Sequence, residues 1–105
     1  MVQEGCIKVG AVSFLNTKPL IQPILDNQIS NIDLTLDVPS KIADELRVGT
    51  LDVGLIPIIE YFRFTDYLIL PGISISSRGA VKSIRIFSRK PISECHTIAL
   101  DTNSR

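Results

Sequence analysis

The sequence predicts an α/β fold, a mostly parallel sheet flanked by helices. Two observations point there. Short, nearly continuous apolar runs, of the kind that strands buried on both faces require, alternate with segments of helical spacing. The connections between them are short, which suits β-α-β units.

The first run, "CIKVGAV" (6–12), is rich in β-branched residues and bounded by Gly5, as a central strand would be. From Lys18 to Leu25 the residues Leu20, Ile21, Ile24 and Leu25 recur at helical spacing, and Pro19 is tolerable in a first turn. "IDLTLDVP" (32–39) alternates Ile32, Leu34, Leu36 and Val38 and reads as a second strand. Ser40 is the expected N-cap of a helix with Ile42, Ala43 and Leu46 on one face, closed by Gly49. "LDVGLIPI" (51–58) reads as a buried third strand, and "IIEYFRF" as a short helix at its end. After Pro71-Gly72, "ISISS" (73–77) and "SIRIFS" (83–88) alternate at period two around Arg78–Lys82, which predicts a hairpin or two strands joined by a loop. "TIALDTNSR" (97–105) begins as a strand and stops at what reads as the approach to a helix. That ending predicts a fragment of a longer protein.

A chain of 105 residues is one domain at most, and 45% apolar with 21% charged residues is the profile of a soluble globular protein. Eleven basic residues balance eleven acidic ones, so neither nucleic acid nor an anionic membrane surface is expected as partner. "MVQEGCIKVG" lacks the apolar stretch of a signal peptide, which predicts a cytoplasmic protein. Cys6 and Cys95 lack metal-type spacing and read as reduced, partly buried thiols.

The polar junction in "GAVSFLNTKPL" (10–20) is the most informative stretch, because a mere turn would more commonly use Gly, Pro or Asp than Ser13, Asn16, Thr17 and Lys18. Ligands of open parallel sheets sit beyond the carboxyl ends of the strands, where helix N-termini favour anions. Ser13–Lys18, Pro57–Glu60 and Asp101–Arg105 occupy such ends. The plainer reading is that Ser13 or Asn16 caps the first helix, and Thr102 or Ser104 a following one. Arg78, Lys82 and Arg85, with Ser76, Ser77 and Ser83, form either a solvated turn or a second wall of donors for carboxylates. His96 is the lone histidine, the glycines form no phosphate loop, and no acid pair is spaced for glycosidase chemistry. Glu60 is the one acid of functional interest.

"GAVSFLNTKPL", "DVPSKIADELRVGTLDVGLIPIIEYFR", "ISSRGAVKSIRIFSR" and "ALDTNSR" together resemble successive motifs of the chorismate dehydratases of the futalosine route to menaquinone. The resemblance runs through nearly the whole chain in order. The sister family that forms 1,4-dihydroxy-6-naphthoate usually carries Cys, Pro and Asn-Asp-Thr in its first loop, and "SFLNTKPL" favours the dehydratases. The resemblance implies two lobes like those of type II periplasmic binding proteins, working in the cytoplasm without cofactor or metal. Residues 1–105 would be most of the first lobe, with the second absent.

The reaction implied is loss of water from chorismate to give 3-[(1-carboxyvinyl)oxy]benzoate. By the same resemblance Asn16 binds and orients substrate, Ser83 hydrogen-bonds near the reacting centre, and Thr102 with Ser104 holds a carboxylate, while Ser13 is a further substrate contact. Ala80 departs from the family, where many members have Pro after Gly. The competing expectations are a small-carboxylate-binding protein without chemistry and the sister naphthoate synthase.

Overall fold

A computed structural model describes residues 5–101, and Thr102 and Ser104 lie outside the described residues. The element order is β1 (Ile7–Val12), a 3-10 turn (Leu15–Thr17), α1 (Lys18–Leu25), β2 (Ile32–Asp37), α2 (Pro39–Arg47), β3 (Val53–Gly54), α3 (Ile58–Arg63) and a second 3-10 turn (Ile92–Glu94). The sheet runs β2-β1-β3 with both pairings parallel. This is the α/β class the alternation of apolar runs implied, and it fits a binding-protein-like lobe.

β1 is central because its residues are acceptable to neighbours on both sides. Ile7 through Val12 stand opposite Ile32 through Asp37 of β2, while Val9 and Gly10 stand opposite Val53 and Gly54 of β3. Asp52 sets the second register: its backbone N–H donates to Lys8 O at 2.8 Å, and the Lys8 N–H donates to the Asp52 carboxylate at 2.9 Å.

α2 packs on the sheet through Ile42, Ala43 and Leu46. Ile42 is fully buried and, with Ala11, Val12, Ile21, Ala43 and Leu51, makes up the apolar core. The close approach depends on missing side chains in the strands below. A Cβ on Gly10 would collide with Leu51 Cδ1 and lie 3.0 Å from Ile42 Cδ1, and one on Gly54 would lie 3.2 Å from Leu46 Cδ2.

Both longer helices end by the same device. Gly49 takes φ of 83° after α2, its N–H donates to Leu46 O, and the Thr50 N–H donates to Glu45 O. After α1 the left-handed residue is Asn27, with φ of 55°, its N–H donating to Ile24 O and that of Gln28 to Pro23 O. These bonds satisfy carbonyls that the helix itself leaves unpaired.

The start of α2 corrects the sequence expectation. Its N-cap is Val38 and Pro39 opens the helix, so Ser40 lies inside the first turn. Proline suits that position because its φ is already helical and it has no N–H to lose. The preceding Asp37 accepts from the Val38 N–H at 2.8 Å and pairs with Lys41 at 2.8 Å.

The third strand is also shorter than expected, since only Val53 and Gly54 pair within the run 51–58. A larger difference lies beyond α3. No strand forms at 73–77, 83–88 or 97–101, and the segment's regular structure is the Ile92–Glu94 turn. Alternation makes a strand only when another backbone accepts its N–H groups, and no such bond reaches 73–77, 83–88 or 97–100 among the described residues. Their apolar side chains are consequently open to solvent; Ile84 is 80% exposed and Phe87 87%. The described chain is therefore elongated, 58 × 27 × 25 Å with a radius of gyration of 16.8 Å, against about 13 Å for a packed domain of 100 residues.

Candidate functional site

At the carboxyl end of β1 the fold leaves polar side chains exposed. β1 stops at Val12, and Ser13 and Phe14 carry the chain outward. The turn Leu15–Thr17 then closes through the Thr17 N–H, which donates to Phe14 O at 3.1 Å, before α1 begins. Ser13 and Asn16 are both exposed on this short loop. The backbone thus brings together two of the expected ligand contacts, and the loop leaves the middle strand of the sheet, at the edge where open α/β folds bind their ligands.

Neither Ser13 nor Asn16 caps α1. The N-cap is Thr17, which makes no side-chain capping bond. Thr17 is completely buried and its Oγ1 has no hydrogen-bond partner. A buried hydroxyl left without a partner costs about 1–3 kcal/mol. The sequence places Thr17 among the polar residues of the junction but does not show that it is buried, because only packing decides which of Ser13, Asn16, Thr17 and Lys18 turns inward.

At the neighbouring strand end, Pro57 is the N-cap of α3 and Glu60 lies in the helix's first turn. Glu60 is buried, and Arg63 Nη1 lies 3.3 Å from its Oε1. That pairing gives Glu60 a structural role within α3.

Ser83 lies in the unpaired segment beyond α3, is exposed, and no hydrogen bond joins it to Asn16 or Ser13 among the described residues. The turn around it is held locally. Ser77 donates to Gly79 O at 3.0 Å, and Arg85 Nε donates to Lys82 O at 2.6 Å. Farther along, Arg85, Phe87, Arg89, Lys90, Ile98 and Leu100 are among the residues that line an open groove of about 870 Å³.

Asp37 and Lys41 pair at the start of α2, Asp44 and Arg47 at its end, and Glu60 and Arg63 within α3. The Lys41 ammonium and the Val38 N–H hold the Asp37 carboxyl below its ordinary pKa, and Asp37 in turn raises that of Lys41. Cys6 and Cys95 are free thiols of intermediate exposure. No group of three or more His, Cys, Asp or Glu is placed to hold a metal among the described residues, and no helix there is long and apolar enough to cross a membrane. The loop offers the Ser13 hydroxyl and the Asn16 amide, which orient and stabilise but are poor bases, with the exposed Lys18 opening α1 beside them.

The chain is a parallel α/β unit with a polar loop at the carboxyl end of its middle strand, the edge at which open α/β sheets commonly hold their ligands. Residues 7–105 match a family model for menaquinone biosynthesis. The chain belongs to that family of biosynthetic enzymes. No solved structure matches it.

Proposed function

We propose that the protein is a chorismate dehydratase, removing water from chorismate to give 3-[(1-carboxyvinyl)oxy]benzoate. Membership of a menaquinone biosynthesis family supplies the pathway. The observation that carries the reading to this reaction is the loop "SFLNTKPL", which stands beyond the central strand with Asn16 and Ser13 exposed.

In this reading a proton leaves the ring carbon that bears the enolpyruvyl ether, hydroxide leaves the neighbouring carbon, and the ring becomes aromatic. Asn16 binds and orients the substrate through its carboxamide. Ser83 hydrogen-bonds near the reacting centre, and Ser13, Thr102 and Ser104 hold carboxylate oxygens. The motifs that carry these residues contain no histidine or paired acid suited to take the proton. The side-chain carboxylate of chorismate therefore acts as base, while the protein supplies geometry and electrostatic stabilisation.

Incubating the intact protein with chorismate and separating the products by chromatography tests the reaction. Formation of the enolpyruvyl benzoate supports it; binding without turnover, or no interaction, refutes it. Asn16→Ala and Ser83→Ala are each expected to lower kcat by about a hundredfold, the scale for loss of one transition-state hydrogen bond. Wild-type turnover in both variants would remove these residues from the site.

A further inference from the structure

The outer side of β2 has no neighbouring strand among the described residues, because the sheet order β2-β1-β3 puts it at an edge. The whole of Ile32–Asp37 lies in register with β1, so this edge is longer than the one at Val53–Gly54. An edge of this length is a template for another extended backbone. Its two faces differ. Ile32, Leu34 and Leu36 share a face with Ile7, Val9 and Ala11, and Leu36 remains exposed there. Asp33, Thr35 and Asp37 share the other face; Asp37 is paired with Lys41, while Asp33 is exposed.

The segment 83–88 has the matching pattern. Ile84 and Ile86 alternate with Ser83 and Arg85, all four are exposed, and no backbone hydrogen bond reaches them among the described residues. Laid along β2 with Ile84 and Ile86 beside Leu34 and Leu36, the segment extends the apolar face and brings Arg85 to the face of Asp33, because side chains alternate at period two in both strands. The Arg85 Nε donates to Lys82 O, and its Nη groups can still meet a carboxylate. Lys82, Arg89 and Lys90 flank the segment, so a basic strand would meet an edge that carries Asp33 and Asp37.

The exposed area is what an assembly of copies needs. The chain exposes 8831 Å², whereas a compact folded chain of 11.6 kDa exposes about 5,800 Å². The excess of about 3,000 Å² exceeds the roughly 1,000–2,500 Å² that each partner hides in an obligate homodimer. Eleven basic and eleven acidic residues leave no net charge to hold two copies apart.

We propose that two copies of the chain exchange these segments: residues 83–88 of each copy pair along the free edge of β2 in the other, about a twofold axis. The edge and the strand that fits it are on the same chain, so a second copy satisfies both at once and closes the assembly at two. Arg85 of each copy then stands on the same face as Asp33 of the other, at two equivalent places.

The test is the mass of the 105-residue chain by size-exclusion chromatography with light scattering, and its dissociation constant by sedimentation equilibrium. A dimer of twice 11.6 kDa is expected. Arg85→Glu and Asp33→Lys each set like charges against one another twice per dimer, and each is expected to weaken association about tenfold. In an equimolar mixture of the two variants every pair again joins opposite charges, so the mixture is expected to associate as tightly as the wild type. Both positions are exposed, and circular dichroism checks that each variant keeps the fold. Recovery on mixing requires exchange between copies, because a segment folded back on its own β2 gains nothing from a second variant. A monomer at all concentrations, a mass that grows past the dimer without limit, single variants that associate like the wild type, or a mixture that stays weak would each overturn the proposal.

Discussion

Replacing Gly10 by alanine tests whether the approach of α2 to the sheet is set by the absence of a side chain in the central strand. The new Cβ would overlap Leu51 Cδ1 and lie 3.0 and 3.1 Å from Ile42 Cδ1 and Cγ2. Leu51 ends in a rotatable group and can swing aside, though it is itself buried. Ile42 is fully buried and β-branched, so its χ1 has little freedom to respond. Overpacking of this kind costs about 1–3 kcal/mol. Alanine is favoured over glycine in a strand interior by roughly 0.5–1 kcal/mol, which offsets part of that. A net loss of about 1 kcal/mol follows from the middle of these ranges, equivalent to a fall in melting temperature of roughly 4–8 °C for a domain of this size. Urea denaturation followed by far-ultraviolet circular dichroism measures it. The double variant, Gly10→Ala combined with Leu51→Ala, supplies the control. Leu51→Ala alone leaves a cavity, but in the double variant that cavity accommodates the methyl group added at position 10, so the two single losses are expected to sum to more than the double variant shows. A Gly10→Ala protein as stable as the wild type, or strictly additive losses, would refute the packing argument.

Two further outcomes follow from the same architecture. Gly49→Ala forces a Cβ onto a residue with φ of 83°, and although nothing stands within 4 Å of that Cβ, the left-handed backbone costs about 1–2 kcal/mol, read as a lower urea midpoint with an unchanged slope. The Asp37–Lys41 pair gives a dependence on pH whose sign is fixed by the directions of the two shifts. Asp37 is held below its ordinary pKa, so its contribution is complete above the unfolded value and lost as pH falls through the folded one; Lys41 is raised, so its contribution is complete below its unfolded value and lost as pH rises through the folded one. Asp37→Asn is therefore expected to be slightly less stable than the wild type near neutrality and equal to it in strong acid, with the gap narrowed by salt; a gap that persists in acid would show that charge is not its origin.

Much of the unit from Ile7 to Arg63 was legible in the sequence because its signals are local. The run 6–12, the spacing of Leu20, Ile21, Ile24 and Leu25, and Gly49 after an apolar helix face each express a conformational preference that needs no distant partner to be read. The loop at Ser13–Asn16 was legible for the same reason: polar residues follow a buried strand where a turn would use others. Where the sequence misled, local preferences competed. Ser40 is a good cap, but the fixed φ of Pro39 opened the helix two residues earlier, with Val38 as N-cap.

What the sequence could not decide was anything that depends on a second surface. Alternation at 73–77 and 83–88 states that one face is apolar, not that another backbone lies alongside, and in the described chain none does. The same limit applies in the opposite direction at Thr17. A threonine among polar neighbours carries no sign of being buried; only the packing of the turn against α1 and the core withdraws its hydroxyl from water and leaves it unpaired. Strand order, the seating of Ile42 and Leu51 over Gly10, and the inward turn of Thr17 are properties of surfaces brought together, and their free energy arises only when water between those surfaces is removed.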